Sequence, residues 1–188
     1  MDDIFKLRKI YALKNVYRSG SVGERKESSA EHSWSCMIIA DYFLTKSRIK
    51  IDRLKVYELL MYHDLVEIYA GDSPLYLDIA GKKQSEKELA AMNILKDELP
   101  KTLGEKFVKL FLEFEDNKTK EARFAKAIDK LDIEIHEMDY KKDWIGWTEE
   151  YLRKKKEPYF KDFPELLKVF NATVDYCKKN GYFNQEKR

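Results

Sequence analysis

The segment from Met61 to Asp72 constrains the fold of this chain more than any other part of the sequence. It has the apolar spacing of a helix, yet His63, Asp64 and Glu67 interrupt it. Burying an ionised side chain costs several kcal/mol unless a partner or a metal ion compensates for it. A fold that buries this helix must therefore bring compensating groups to it from elsewhere in the chain.

Candidate partners for this cluster stand at two other places in the sequence. Glu31-His32 lies at the expected start of a helix, and Asp129 lies in a later helical segment. Imidazole and carboxylate ligands together suit a divalent Co, Mn, Ni, Fe, Zn or Mg ion, so the three segments predict a metal site. Cys36 and Cys177 match no ligand spacing and are expected to be small core residues in a reducing compartment.

Glycine and proline are scarce, and the stretches between them have helical periodicity. The 188 residues contain seven glycines and four prolines, which predicts an all-α fold, a single compact helical bundle over residues 1–188. The helices are expected at about 4–13, 30–46, 53–69, 83–99, 100–114, 120–138 and 163–179. Ser28 or Ser29 would cap the second of these helices, after a glycine-containing loop from Asn15 to Ser29.

The charges of the chain nearly cancel. There are 36 basic and 34 acidic residues, with a net charge of +2, so no general attraction to nucleic acid or membrane is expected. The N-terminus is acidic where a signal peptide is basic, and no apolar run approaches the ~20 residues that span a bilayer. The sequence predicts a cytoplasmic protein without nucleic-acid or membrane partners, although one local pocket can still bind a small anion.

The spacing within the first cluster suggests separate roles for its members. His63 and Glu67, four residues apart, would lie on one side of a helix, with Asp64 rotated by about 100°. A metal held by His63 and Asp64 would leave Glu67 within reach of a water molecule, which is the position of a general base. Asp72 and Ser73 belong to a Gly-Asp-Ser-Pro turn, where side chains commonly contact a substrate.

The later helix offers two carboxylates for the same metal. Asp129 lies among small and aliphatic residues, which suits a carboxylate that points inward. Asp132 lies one turn away and is the competing candidate. Spacing alone does not decide between them.

Three motifs, taken together, resemble a known family. They are Ala30-Glu31-His32-Ser33, the pattern that runs from His63-Asp64 through Glu67 to Gly71-Asp72-x-Pro74, and Ile128-Asp129-Lys130-Leu131. This combination resembles the HD-domain phosphohydrolase superfamily and, within it, the branch of small 5'-deoxynucleotidases. The resemblance runs from about Leu7 to Tyr140 and includes the segment Leu13 to Gly20.

The resemblance implies a role for each matching residue. It implies metal ligands at His32, His63, Asp64 and Asp129, and so favours Asp129 over Asp132. It implies that Glu67 and Asp72 are catalytic carboxylates and that Arg18 orients the phosphate. Members of that branch can carry an aromatic residue after this arginine, next to the sugar. This chain has Ser19 there, which predicts a weaker discrimination of deoxyribose from ribose.

The implied activity is that of a hydrolase that removes the 5'-phosphate of a deoxyribo- or ribonucleoside monophosphate with the help of a divalent metal ion. One alternative is an HD-domain hydrolase of another nucleotide phosphate bond, and a second is a non-enzymatic helical interaction module with a structural metal. The resemblance and an aromatic content of 13% also favour a homodimer or a higher oligomer, with Tyr176, Tyr182 and Phe183 as candidate contacts.

Overall fold

The computed structural model describes residues 2–47, 49–73, 81–183 and 185, and for residues 81–83 it describes the backbone only. The predicted all-α fold is confirmed. The α-helices are α1 (Asp2–Leu7), α2 (Ser29–Lys46), α3 (Arg53–Tyr62), α4 (Glu67–Ala70), α5 (Gly81–Glu98), α6 (Lys101–Asp116), α7 (Lys120–His136), α8 (Glu149–Lys156) and α9 (Pro164–Lys179). Short 3-10 helices cover Arg8–Asn15, Glu137–Asp139, Lys141–Trp144 and Glu157–Phe160.

Helix α7 lies at the centre of the helical packing and contacts α2, α3, α6 and α9. Its buried face includes Ala122, Ala125 and Ala127, whose small side chains let the neighbouring helices approach, and Ile128 and Leu131, which fill the core. Because α7 touches so many elements, polar side chains on its buried face meet residues from distant parts of the sequence.

Helix α2 begins with the cap that the sequence predicts. The Ser28 hydroxyl accepts a hydrogen bond from the Glu31 backbone N–H, and the Glu31 carboxylate accepts one from the Ser28 N–H at 2.9 Å. This reciprocal capping box satisfies two backbone donors that the helix itself leaves unpaired. It also fixes His32 in the first turn of α2.

The predicted loop from Asn15 to Ser29 is wrong, because most of it forms a hairpin. Strand β1 (Tyr17–Val22) pairs antiparallel with β2 (Arg25–Ser28), and Gly23, with a φ of +58°, supplies the left-handed turn between them. Contacts with a later segment hold the hairpin: Asp143 accepts hydrogen bonds from the Ser21 N–H at 2.7 Å and from the Ser21 hydroxyl at 3.0 Å. The position of the hairpin therefore depends on residues more than a hundred positions away in the sequence.

The predicted helix at 53–69 is also wrong in its second half. Helix α3 ends at Tyr62, a turn follows, and the chain resumes as the short α4 at Glu67. In the turn, the Glu67 N–H bonds to the Asp64 carbonyl at 2.9 Å, three residues back instead of four. Helix α8 and its flanking 3-10 helices, between Lys141 and Phe160, have no counterpart among the predicted helices.

A buried ion pair connects the end of α8 to α7. The Lys156 ammonium contacts the Glu134 carboxylate, and both side chains are 2% exposed. Glu137 lies nearby, and burial together with repulsion from Glu134 raises its pKa to about 8. Lys156 thus compensates for the buried charge of Glu134.

Lys156→Met is expected to lower the free energy of unfolding by about 3–5 kcal/mol, because it keeps the length of the side chain but leaves Glu134 buried without its cation. Lys154→Met, on the exposed side of the same helix, is the matched control and should change stability by less than about 0.5 kcal/mol. Urea denaturation curves of both variants measure the difference. Equal midpoints for the two variants would contradict the structural role of this pair.

Candidate metal centre

The predicted metal ligands come from separate helices and meet in one place. His32 lies in the first turn of α2, His63 and Asp64 directly follow α3, and Asp129 lies in the middle of α7; all are buried. The donor atoms of His32, His63 and Asp129 lie within 4.8 Å of one another. His32 Nε2 is 3.1 Å from Asp129 Oδ1 and 3.9 Å from Asp64 Oδ2. The structure therefore brings two imidazoles and two carboxylates together.

The surroundings of His63 fit a cation. Its Nδ1 is 2.8 Å from the Leu60 carbonyl oxygen, an acceptor, so Nδ1 carries the proton and Nε2 presents a lone pair. Burial lowers the pKa of His63, which keeps the ring neutral. Nε2 is buried, has no hydrogen-bond donor among the described residues, and lies 3.1 Å from Asp64 Oδ1. Two acceptors that face each other repel unless a cation lies between them.

His32 is held on both sides by aspartates from α7. Its Nδ1 lies 2.7 Å from Asp132 Oδ2, and its Nε2 faces Asp129. A carboxylate on one ring nitrogen orients the imidazole and leaves the other nitrogen for a metal. The sequence spacing did not decide between the two aspartates, but their surroundings in the structure differ. Asp129 shares the pocket with His63, and Asp132 lies behind His32.

A rival group of donors shares His32. Cys36 and Asp132, with His32, could also surround an ion, and the Cys36 sulfur lies 3.6 Å from His32 Nε2. Burial raises the pKa of the Cys36 thiol to about 12, so the sulfur stays protonated and is a poor ligand. Neither Cys36 nor Asp132 lines the pocket described below. The group that contains His63 and Asp129 is therefore the better candidate for chemistry on a bound substrate.

Arg18 on β1 is the cation closest to the candidate ligands in the described part of the chain, apart from Lys130. Its guanidinium lies 3.1 Å from Asp64, 3.7 Å from Asp72 and 4.0 Å from Glu67, and its side chain is 11% exposed. Burial disfavours the charge, but these carboxylates outweigh it and raise the pKa of Arg18 further. A planar, permanently charged donor in this position suits the oxygens of a phosphate group.

Glu67 is the first residue of α4, and Asp72 lies two residues past its end. The Ser29 hydroxyl donates a hydrogen bond to Glu67 Oε2, and burial, followed by the charge of Asp64, raises the pKa of Glu67 to about 9. Gly71, with a φ of +72°, ends α4 and turns the chain so that Asp72 comes within 3.7 Å of Arg18. Burial also raises the pKa of Asp72. Both carboxyl groups therefore bind protons more tightly than exposed ones do.

One more charged neighbour was not predicted. Lys130, next to Asp129 in the sequence, donates a hydrogen bond to Asp129 Oδ2 at 2.8 Å. Burial opposes ionisation, yet the charge of Lys130 and the hydrogen bond with His32 hold the pKa of Asp129 well below its usual range. Asp129 is consequently an anion, as a carboxylate that binds a metal ion must be.

These residues open into a pocket of about 1130 Å³. It follows one side of α7, where Lys126, Asp129, Lys130 and Ile133 line it, and it reaches Glu137 just past the end of that helix. Every predicted catalytic, substrate-binding or metal residue lines this pocket except His32, which contacts Asp129 from behind: Arg18, Ser19, His63, Asp64, Glu67, Asp72, Ser73 and Asp129. The rest of the turn predicted to contain Ser73, from Pro74 onward, lies outside the described residues.

Comparison with known proteins places the chain among related sequences. The model of the HD domain family matches residues 10–166. The 5'-deoxynucleotidase HDDC2 of Xenopus laevis is 31% identical over 131 residues, which cover 68% of this chain and 64% of that protein. The Homo sapiens protein of the same name is 28% identical over 137 residues, covering 71% and 66%. The match thus spans just under two thirds of the length of these relatives.

Solved structures are similar over more of the chain. The crystal structure of a predicted metal-dependent phosphohydrolase from Magnetospirillum magnetotacticum MS-1 has a TM-score of 0.85 and 27% identity, and covers 98% of this chain and 97% of that one. A conserved hypothetical protein from Pyrococcus furiosus has a TM-score of 0.63 and 27% identity, with 89% of this chain and 99% of that chain covered.

Proposed function

Since this chain belongs to the HD domain family, whose model matches residues 10–166, we propose that it is a metal-dependent phosphohydrolase. It removes the 5'-phosphate of nucleoside monophosphates and prefers deoxynucleotides to ribonucleotides as substrates. One observation carries the proposal: the Arg18 guanidinium, in a side chain that is 11% exposed, adjoins both the candidate metal ligands and the carboxyl groups of Glu67 and Asp72. The names of the relatives, 5'-deoxynucleotidase and metal-dependent phosphohydrolase, support it.

The family and the donor set suggest a divalent metal ion. We propose that His32, His63, Asp64 and Asp129 hold it, with its identity among Co, Mn, Ni, Fe, Zn and Mg open. A divalent ion in such a site supplies Lewis acidity, which polarises a phosphoryl oxygen and lowers the pKa of a bound water. The protein contributes fixed ligands: Asp132 orients His32, and the Leu60 carbonyl orients His63.

The remaining polar residues would handle the proton transfers and the phosphate. Glu67 would orient the attacking water and accept its proton, because its carboxylate lies 4.0 Å from Arg18 and lines the same pocket as the candidate ligands. Arg18 would bind the equatorial oxygens of the phosphoryl group. Asp72, whose pKa is also raised, would donate a proton to the leaving sugar oxygen. Ser19 and Ser73 would contact the substrate.

A phosphate-release assay tests this proposal directly. The purified protein, loaded in turn with each candidate metal, is given deoxyribo- and ribonucleoside monophosphates, triphosphates, cyclic nucleotides and alarmones. Release from 5'-monophosphates is the expected result. Activity only on another phosphate bond would favour the sister class of HD-domain hydrolases. Metal binding without any release would favour the non-enzymatic interaction module.

Asp132→Asn is expected to weaken metal binding by about 10- to 100-fold, because it removes the charge that orients and polarises His32 while keeping the size of the side chain. Metal titration by calorimetry measures the change. Asp139→Asn, an exposed change in the 3-10 helix that follows α7, serves as the control. An unaltered affinity in the Asp132 variant would show that His32 needs no such partner.

Ser19→Trp is expected to raise the ratio of kcat/KM for dAMP to that for AMP by about 10- to 100-fold, since a bulky wall beside the sugar excludes a 2'-hydroxyl. Ser19 is exposed and lines the pocket next to Arg18, so the larger side chain has room. Arg18→Ala should lower kcat/KM for both substrates by the same factor, because both carry the phosphate. A ratio that does not change would mean that residue 19 does not face the sugar.

We further propose that the protein works in the cytoplasm as a homodimer or higher oligomer. Both cysteines are free and buried, which suits a reducing compartment, and no helix within the described ranges is long and apolar enough to cross a membrane. Trp34, Ile38 and Tyr42 form an exposed apolar stripe on α2 that could pack against a second copy. The predicted contact Tyr182 is buried against Trp144 instead. Light scattering that shows a monomer at micromolar concentration would contradict the oligomer.

A further inference from the structure

The pocket continues well beyond the candidate metal ligands. It is lined by Lys126 on α7 and by Glu137, which directly follows that helix, a separation of about 16 Å at the rise of a helix. Ile133 lies one turn past Asp129 on α7, and Glu137 lies about one turn further, just beyond the end of the helix. This second half of the pocket has no role in the proposed phosphate chemistry.

An aromatic wall covers the second half of the pocket. Lys156 pairs with Glu134, and its ammonium lies 5.7 Å from the centre of the Trp147 ring. Glu134 is five residues past Asp129 on α7, about 7.5 Å further along the helix axis, and Lys156 connects it to the Trp147 indole. The Tyr151 ring is 5.4 Å from that of Trp147, at an angle of 43°. Both side chains line the pocket.

The wall is only partly packed into the core. Trp147 and Tyr151 are half-buried, and Ile145, which also lines the pocket, is 39% exposed. By contrast, Trp144, three residues before Trp147, is 1% exposed and donates its indole N–H to the Glu137 carbonyl at 2.8 Å. Trp144 therefore anchors this segment, while Trp147 presents aromatic surface to the cavity.

The two ends of the pocket differ in the surfaces that they offer. Charged groups around Arg18, Asp64 and Asp129 suit a phosphate with its metal, while Trp147 and Tyr151 add aromatic rings beside the charged Lys156 and Glu137. A nucleotide has the same division between its phosphate and its planar base. We propose that Trp147, backed by Lys156 and flanked by Tyr151, is the stacking platform for the nucleobase of the substrate. This inference rests on the proposed function and adds the base subsite to it.

Stacking on an aromatic ring predicts tolerance of base identity, because every base offers a flat face. The chain would then hydrolyse nucleotides with any base, but would work poorly on deoxyribose 5-phosphate, which has none. Trp147→Ala should lower kcat/KM for dAMP and dCMP by about 5- to 150-fold, mostly through KM. It should leave deoxyribose 5-phosphate unchanged.

Kinetics on these three compounds test the proposal against a purely structural role of Trp147. Loss of activity on the two nucleotides alone supports the stacking platform. An equal loss on deoxyribose 5-phosphate would overturn it, because that compound cannot stack. Trp147→Phe keeps a flat ring in the same place and should restore most of the activity on dAMP.

A binding measurement separates this inference from the proposed reaction. Deoxyadenosine, which has no phosphate to release, is titrated into the metal-loaded protein while tryptophan fluorescence is followed, with deoxyribose as the blank. Saturable quenching that persists in Trp34→Phe and is lost in Trp147→Phe supports the platform. Quenching that survives in Trp147→Phe, or its absence in the unaltered protein, overturns it. If no nucleotide releases phosphate, the proposed function fails while this titration still decides the base site.

Discussion

Asp64→Ala is expected to abolish both tight metal binding and phosphate release while leaving the helices intact. Asp64 places one carboxylate oxygen 3.1 Å from His63 Nε2 and the other 3.1 Å from Arg18, so it connects the candidate metal site to the cation that we propose binds the phosphate. Losing a ligand removes coordination directly. Arg18 keeps Asp72 and Glu67 as partners, which should allow the fold to survive.

Metal content after desalting, phosphate release and circular dichroism together measure this outcome. Asp97→Ala, an exposed change on α5, is the matched control and should retain metal and activity. His63→Ala should behave like Asp64→Ala. A full equivalent of tightly held metal in the Asp64 variant would refute its assignment as a ligand.

Glu67→Gln should keep its metal yet lose about 10²- to 10⁴-fold in kcat, the usual contribution of a positioned acid or base. Glutamine keeps the shape and can still accept the hydrogen bond from the Ser29 hydroxyl, but it cannot take a proton from water. Steady-state kinetics at saturating substrate, with the metal content measured in parallel, give the result.

Glu105→Gln on the exposed side of α6 controls for the loss of one glutamate from the chain. Near-normal turnover of the Glu67 variant would show that this carboxylate only pairs with its neighbours. A variant that loses metal as well as turnover would instead place Glu67 among the ligands.

Most of the long helices could be predicted because each carries its own local signals, whereas α8 and the break after α3 could not. Some features depend only on neighbouring residues, so they can be recognised in the sequence without knowledge of the fold. These are the cap at Ser28, the apolar spacing of α7 and the cluster at His63-Asp64. The sequence could not decide whether Asp129 or Asp132 is the metal ligand, because the choice depends on which ring nitrogen of His32 each carboxylate contacts. That relation joins residues 100 positions apart.

The hairpin and the aromatic wall were missed for a related reason. Residues 17–28 are largely polar, and the position of the strands depends on hydrogen bonds in which Ser21 donates its N–H to Asp143 and accepts one from His136 at its carbonyl. Trp147 is half-buried beside Lys156, whose position in turn depends on Glu134 of α7. Neither feature leaves a periodic pattern in the sequence.

The assembly of the centre from α2, the end of α3 and α7 makes cation binding part of the folding equilibrium. In an unfolded chain His32, His63 and Asp129 are far apart, so an ion that binds only the folded form draws the equilibrium toward it. At an ion concentration of a hundred times Kd, the gain is about 2.7 kcal/mol. The protein then melts at a temperature set partly by the ions around it, and a melting curve taken with each cation ranks their affinities before any substrate is known.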